Sequence, residues 1–486
     1  MSPNIIRSSV VCFLAFFVMV SAYTAAHVAI QMTLLVCMLI LSFSAKSVPF
    51  ILIIAGCSAP VLGLIRRLSA GPDARVDFDP LILFPMVLVV VALLICLARF
   101  DSVGGQRRSD TDRRLLWFAV IFSIFVGLAL AANGAFSPNV IYFAMALIVP
   151  VLLTVFIAIA SVPDIWETFE RLLPGIGLVV GCYGVYQFFF LPQWDRSWML
   201  NSGLESIGQA LPMAVRVFGA SESPGPYAAF MGLVVIVCFV RGINSHGISR
   251  VLFFLFCALM TVPLLLSGVR SSLLSVLVCA ALAVLVRGRG MGRVLPVLFF
   301  VLVGVGVDKI VSTFGGSSTI LTADRYTSFD PSQDNSIQAR LGILDYLTNP
   351  LPHVLGNPSG PTIDNLLVDI MRAYGLVPFV LFSAFIVFLL LRCLKFLRSG
   401  SKSPLAFVVL YLIFLGIAGN LFLSSFGIIV GLAFGALLRL SGDDRQSRSN
   451  SDAQPPIETG LRFTYPLAPL PVSRGMGKII RVTEGD

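Results

Sequence analysis

Arginine residues in the polar segments of an otherwise apolar chain are the residues best suited to chemistry. Arg216, Arg270 and Arg340 each stand in or beside such a segment. A guanidinium group offers a planar fork of donors that matches a phosphate, and it stays charged when it is partly desolvated. The three arginines therefore indicate an anionic partner. For any one of them the simpler alternative is pairing with a carboxylate or a lipid headgroup, but a charge in the tight turn at Arg270 is costly without a partner.

The apolar composition determines the class of protein. Of the 486 residues, 57% are hydrophobic and 12% are charged, and the mean hydropathy is +0.93. A soluble domain of this size would leave too much apolar surface in water. The apolar runs are about 18–20 residues long, as membrane helices require, whereas barrel strands alternate over about 10 residues. The sequence therefore predicts an all-α polytopic membrane protein.

We predict about fourteen transmembrane helices, within a range of 12–14, and two long periplasmic loops. The predicted domains are N-terminal helices (1–191), a first loop (192–225), central helices (226–311), a large loop with amphipathic helices (312–373), C-terminal helices (374–440) and a disordered tail (441–486). The predicted spans are 10–25, 28–44, 48–65, 81–98, 115–132, 140–161, 172–191, 226–240, 251–267, 272–286, 294–311, 374–392, 404–420 and 424–440. The first span resembles a signal peptide, but apolar sequence resumes at once, so we expect it to be uncleaved.

The distribution of Lys and Arg predicts the orientation of the helices. Sixteen of these residues fall in one set of short loops, against four in the other set: Arg66, Arg67, Arg75 and Arg270. By the positive-inside rule, the N-terminus and the tail are then cytoplasmic, and both long loops lie on the outer face. The loop 66–79 is a local exception. The net charge of +9 is thus an indication of topology and not of nucleic-acid binding.

The nine cysteines give no indication of disulfides or of a metal site. All of them lie in or beside apolar runs, without Cys-x-x-Cys spacing or a Cys/His cluster. We therefore expect neither disulfides nor structural zinc.

The large loop is a polar island of unusual length between apolar spans. It carries Arg325, Arg340, His353 and Asp364, with a bend rich in Pro and Gly near His353. Apolar residues at helical spacing predict an amphipathic helix over 336–349 on the membrane surface, and the segment 364–374 is again compatible with a helix. Arg372, near the mouth of a span, is expected to extend to the membrane interface.

Four motifs follow one another between Arg216 and Leu376. They are Arg216-x-x-Gly219-x-x-x-x-Pro224; Ser267-Gly268-Val269-Arg270-Ser271; Arg340-Leu341-x-x-x-x-x-Leu347-x-x-Pro350 with Gly356; and Thr362-Ile363-Asp364-Asn365-Leu366-Leu367 with Tyr374-Gly375-Leu376. In order, spacing and sidedness this series resembles the O-antigen ligase and polymerase superfamily. The ligase branch usually has His where this chain has Asp364. That departure favours the polymerase branch and leaves the identity of the general base open.

The resemblance implies glycosyl transfer without a nucleotide sugar, a metal or another cofactor. The donor would be an oligosaccharide on undecaprenyl pyrophosphate at the outer leaflet of the inner membrane, and the acceptor the growing polysaccharide; chain-length and export proteins are possible partners. Arg216 and Arg270 would contact the pyrophosphate, and Asp364 would be the general base. Arg340 and Arg325 are the further pyrophosphate candidates, and His353 and Glu222 are the reserve bases. The structural alternative for Asp364 is a helix N-cap.

Two other functions are compatible with these motifs. A ligase would move the finished glycan to a lipid or protein acceptor. A transporter or a flippase for lipid-linked sugars would instead place ionisable residues at mid-membrane and often show repeated halves. The predicted spans are almost uncharged and no internal repeat is found, which favours the polymerase.

Overall fold

The computed structural model describes residues 48–70, 80–98, 110–160, 165–202, 207–287, 348, 354–359, 363, 365–400, 403–420, 422 and 424–452. Within these ranges the chain forms fourteen α-helices, one 3-10 turn at Pro80–Leu83 and no strand. One compact unit extends to Gly442, and a second begins at Asp443. The motifs that the structure describes all belong to the first unit.

The fourteen helices differ widely in length. In chain order they are α1 (Val48–Ser58), α2 (Leu62–Ala70), α3 (Phe84–Ala98), α4 (Asp110–Ala132), α5 (Pro138–Ile159), α6 (Ile165–Phe190), α7 (Gln193–Asn201), α8 (Pro224–Asn244), α9 (Gly247–Leu266), α10 (Arg270–Arg287), α11 (Leu366–Tyr374), α12 (Leu376–Arg398), α13 (Leu405–Ala418) and α14 (Gly427–Asp452).

The predicted all-α membrane architecture is confirmed for these ranges. Seven helices are long and apolar enough to cross a bilayer, namely α4, α5, α6, α8, α9, α10 and α12. The pair α1 and α2 is bent by 65° and would form an eighth, broken span, while α3, α13 and the first half of α14 are shorter apolar helices. Eleven of the predicted spans fall on these elements. The spans 10–25, 28–44 and 294–311 lie outside the described residues, so the total of fourteen stays a prediction.

Two helix boundaries differ from the predicted domains. Helix α14 continues to Asp452, so residues 441–452 of the predicted disordered tail are helical. The first long loop, 192–225, contains the short helix α7, which begins directly after α6.

Helices α8, α9 and α10 alternate in direction and bring the first two motifs to one end of the bundle. Two residues connect α8 to α9 and three connect α9 to α10, so the segment before Pro224 and the turn 267–269 lie at the same end. At the opposite end, Arg287 Nη2 donates to Ser403 O at 2.9 Å, next to the start of α13. At the motif end, Asn365 Nδ2 donates to Ile417 O at 2.7 Å, next to the end of α13. We call the motif end the site end.

Helix α14 packs on α5 through a stripe of three glycines at four-residue spacing. A Cβ on Gly431 would lie 2.8 Å from Pro150 O, and one on Gly435 would lie 2.7 Å from Ile157 Cβ. Thr154 Oγ1 also donates to Gly431 O at 3.3 Å. Small residues let two helix backbones approach closely where lipid offers no hydrophobic driving force for association.

The glycine stripe predicts the effect of a larger side chain at this interface. The substitution Gly431→Leu should lower the unfolding temperature of the purified protein, because overpacking costs about 1–3 kcal/mol. Gly127→Leu is the matched control, because a Cβ on Gly127 in α4 would meet nothing within 4 Å. Equal unfolding temperatures for the two variants would show that the close approach of α14 to α5 is not needed.

Candidate functional site

Arg216 joins the first motif to the second at the site end. Its Nε donates to Ser267 O at 3.2 Å and its Nη2 donates to Gly268 O at 3.3 Å. One residue later, Val217 N donates to Leu266 O at 3.1 Å. The segment around Arg216 therefore lies against the end of α9 and the turn that follows, although the two motifs are about fifty residues apart in the chain.

The turn that Arg216 contacts requires a glycine at position 268. Gly268 has φ +65°, and a Cβ there would lie 3.2 Å from Arg216 Nε. Helix α10 then begins at Arg270, so the turn predicted over 267–272 is confined to 267–269 and Arg270 occupies the first helical position. The half-buried Arg270 adds its charge to the positive end of the helix dipole, and both favour an anion at this point.

The loop that carries Arg216 is held by hydrogen bonds to the side chain of Gln187. Its Oε1 accepts hydrogen bonds from Phe218 N at 3.0 Å and from Gly219 N at 2.8 Å, and the Gln187 side chain is fully buried in α6. Gly219 has φ +49°, and a Cβ there would lie 2.2 Å from the Tyr227 ring. The loop thus reaches Pro224, where α8 begins, through a tightly packed bend.

The predicted loop 66–79 differs from the structure at Arg67, which is helical and buried. The residue lies in α2, and its Nε is 2.6 Å from Asp195 Oδ1, with both side chains 0% exposed. Its Nη1 and Nη2 donate to Ser221 O and to Gly219 O, and its Cζ lies 4.7 Å from the Phe218 ring centroid. Arg67 is therefore a buried link between α2, α7 and the Arg216 loop, and not an exposed loop residue.

Helix α2 reaches this position because it has no side chain at Gly63. A Cβ on Gly63 would lie 2.3 Å from the backbone carbon of Ser221, so only glycine permits the contact. The bend of 65° between α1 and α2 directs the helix across the site end. In the sequence, Pro60 between the two helices and the exception to the charge rule at Arg66 and Arg67 are the indications.

Glu222, a reserve candidate for the general base, is ion-paired. Its Oε1 accepts from Arg66 Nη1 at 2.7 Å, and Arg66 Cζ lies 5.4 Å from the centre of the Trp198 ring. The Trp198 Nε1 group donates to Glu222 O at 3.3 Å. These contacts give Glu222 a structural role in holding the loop to α2 and α7.

A second polar cluster surrounds Asp369 in α11 and was missed in the sequence. Arg372 donates to Asp369 Oδ1 through Nε at 3.1 Å and Nη2 at 2.8 Å, and Asn420 Nδ2 donates to Asp369 Oδ2 at 2.8 Å. Burial raises the pKa of the Asp369 carboxyl, and Arg372 opposes that change. The prediction that Arg372 extends to the membrane interface is wrong, because the residue is buried and paired.

The two neighbours of Asp364 in the chain both bond to α11. Ile363 N donates to Asp369 Oδ1 at 3.1 Å, and Asn365 is the N-cap of α11, its side chain accepting from Val368 N. The N-cap alternative for Asp364 is therefore wrong, since Asn365 has that role. Asp364 itself lies outside the described residues, as do Arg325, Arg340 and His353.

An apolar cleft lies beside the N-terminus of α11. It is formed between α11, α12, α13 and α14 and is lined by Leu366, Leu367, Ile413, Ile417, Phe422 and Val430, among others. Because Asn365 donates to Ile417 O, the polar edge of this cleft adjoins the fourth motif.

Comparison with known proteins adds no family. No family model matches the chain, and no curated protein matches it. The resemblance to the O-antigen ligase and polymerase superfamily thus depends on the four motifs alone. Among the described residues no three His, Cys, Asp or Glu side chains come together as a metal site.

The effect of the close packing at Gly219 on stability can be separated from the effect of its backbone conformation. Gly219→Ala should lower the unfolding temperature more than Gly134→Ala does. Both glycines have positive φ, +49° and +58°, but a Cβ on Gly134 would meet nothing within 4 Å. The left-handed conformation costs about 1–2 kcal/mol in either variant, and only Gly219→Ala also displaces the Tyr227 ring. Thermal unfolding in detergent checks this, and an equal loss in both variants would contradict it.

Proposed function

We propose that the protein is a polysaccharide polymerase that joins oligosaccharide units carried on undecaprenyl pyrophosphate. The reaction would take place at the outer leaflet of the inner membrane and form an exopolysaccharide or an O-antigen. The contact of Arg216 with the turn 267–268, directly before Arg270, is the observation that carries this proposal. It brings together two of the four motifs that resemble those of the superfamily.

The reaction separates a sugar from a pyrophosphate. A hydroxyl group of the acceptor sugar attacks the anomeric carbon of the donor, and the bond from that carbon to the pyrophosphate oxygen breaks. Negative charge then develops on the leaving pyrophosphate. Preorganised donors next to such a charge are worth about 3–4 kcal/mol each in a site that excludes water. Arg216 and Arg270 are the donors that we assign to this role, with Arg340 and Arg325 as further contacts.

The arrangement of Arg216 supports this role physically. Its contacts with two backbone carbonyls orient the guanidinium against a well-packed turn. Arg270 projects from the N-terminus of α10, where the helix dipole also favours an anion. A guanidinium and a helix N-terminus that meet at one turn form an arrangement suited to a diphosphate.

Asp364 is the proposed general base. Its neighbours in the chain, Ile363 and Asn365, bond to α11 and to α13. A general base takes the proton of the attacking hydroxyl, which is worth about 10²–10⁴-fold in rate.

The proposal predicts the behaviour of three variants in the producing cell. Arg216→Ala, Arg270→Ala and Asp364→Ala should each lower polymer synthesis by about 10²–10³-fold and cause single lipid-linked repeat units to accumulate. Arg114→Ala is the control, because this exposed arginine lies at the opposite end of the bundle, near the start of α4. The amount of each variant in the membrane is measured by immunoblot, and the polymer by gel electrophoresis.

The accumulated lipid separates the alternatives. Long lipid-linked chains in the variants would indicate a ligase. Repeat units confined to the inner leaflet would indicate a flippase. Normal polymer in all three variants, with the protein present in the membrane, would overturn the catalytic assignment.

A further inference from the structure

We propose that Arg67, Asp195 and Gln187 are positioning residues, which hold residues 216–222 as one rigid loop and thereby fix Arg216 against the turn 267–269. The fixation of the loop follows from the contacts alone. Its consequence for the reaction rests on the proposed function.

The three side chains form one continuous buried network. Asp195 Oδ2 accepts from Tyr183 OH at 2.8 Å and from Gln187 Nε2 at 2.6 Å, while Asp195 Oδ1 faces Arg67 Nε at 2.6 Å. The Gln187 side chain thus donates to Asp195 with its nitrogen and accepts from the loop with its oxygen. Asp195 determines which way the Gln187 amide points, and so which face it offers to the loop.

The other side-chain hydrogen bonds of Gln187 and Arg67 go to the backbone of the loop. Gln187 Oε1 accepts hydrogen bonds from the amides of Phe218 and Gly219, and Arg67 donates to the carbonyls of Gly219 and Ser221. The backbone of the loop is therefore bound from two helices, α6 and α2, through both its donors and its acceptors. Four such bonds within four residues leave the loop little freedom.

Arg216 stands three residues before Gly219, at the edge of the fixed part. Its own amide donates to Ile207 O at 2.8 Å, and the next amide donates to Leu266 O. The backbone on both sides of the Arg216 side chain is thus held, so a shift of the loop would move the guanidinium from the turn. A displacement of about 1 Å can lower a rate by about 10²-fold.

Stability alone does not explain a buried ion pair of this kind. Replacing both members of such a pair by apolar residues of similar volume is often neutral or stabilising, whereas removing one member leaves a buried charge. The pair Arg67 and Asp195 therefore allows the fold to be kept while the bonds to the loop are removed. This distinguishes a positioning role from a structural one.

The decisive variant is the double substitution Arg67→Met with Asp195→Leu. The matched control is Arg241→Met with Glu170→Leu, because Arg241 Nη2 and Glu170 Oε1 form an ion pair at 2.9 Å at the opposite end of the bundle. Hydrogen exchange of the backbone amides is measured by mass spectrometry on both purified proteins, in peptides that cover 216–223. Thermal unfolding of the same samples reports whether each protein is folded.

We expect exchange in 216–223 to rise about tenfold or more in the first double variant and to stay at the wild-type rate in the control. Unchanged exchange in a folded Arg67→Met/Asp195→Leu protein would overturn the proposal. If that variant does not fold, Arg67→Lys decides the matter, because an ammonium group keeps the charge but lacks the fork that binds two carbonyls. Wild-type exchange in Arg67→Lys would then overturn it.

The activity of the same variants tests the consequence for the reaction. In polymerisation of a lipid-linked repeat unit, kcat of the Arg67→Met/Asp195→Leu variant should fall about 10²-fold, with a small change in KM. Faster exchange with an unchanged kcat would overturn the link to Arg216 and leave the fixed loop established. Absence of polymerisation by the wild-type protein would count against the proposed function and not against the exchange result.

Discussion

An arginine that is completely buried in a membrane protein must be neutralised and must have its donors satisfied, and the site end depends on how this is done for Arg67. An isolated charge in such surroundings would be expensive by several kcal/mol. Asp195 supplies the opposite charge, and the carbonyls of Ser221 and Gly219 accept from Arg67 Nη1 and Nη2. These partners lie in the short helix α7 and in the irregular loop before α8. Satisfying Arg67 therefore fixes both segments at the same time.

The same physical arrangement occurs a second time at the site end. Arg372 and Asp369 form a buried pair in α11, whose remaining donors and acceptors bind Asn357 O, Ile363 N and Asn420. In each case a short helix is held by a charged pair whose other bonds extend to an irregular segment. Buried backbone groups of an irregular segment have to be satisfied by other groups of the protein. The two pairs explain how polar segments that carry candidate chemistry are kept in place on an apolar bundle.

The sequence predicted the spans well where the physical cause is local. The length of an apolar run determines whether a helix can cross a bilayer, and eleven predicted spans fall on described helices. It failed where the cause is a contact between distant residues. Arg67 and Asp195 are 128 positions apart, so their burial could not be derived from local pattern. Asp364 and Asn365 are both favoured at an N-cap, and only the structure shows that Asn365 has this role.

The two kinds of arginine at the site end differ in how far a ligand could reach them. Arg67 is fully buried against a carboxylate and two carbonyls, which leaves it a structural part of the bundle. Arg216 is only half-buried, and the carbonyls of Ser267 and Gly268 orient its guanidinium. Arg270, also half-buried, stands at the positive end of a helix dipole, which favours carboxylates and phosphates. A charge that acts on a substrate has to be oriented and also accessible. Arg216 is oriented and partly exposed, as its proposed role requires, whereas Arg67 is oriented but buried, in keeping with the proposed role of holding the loop in place.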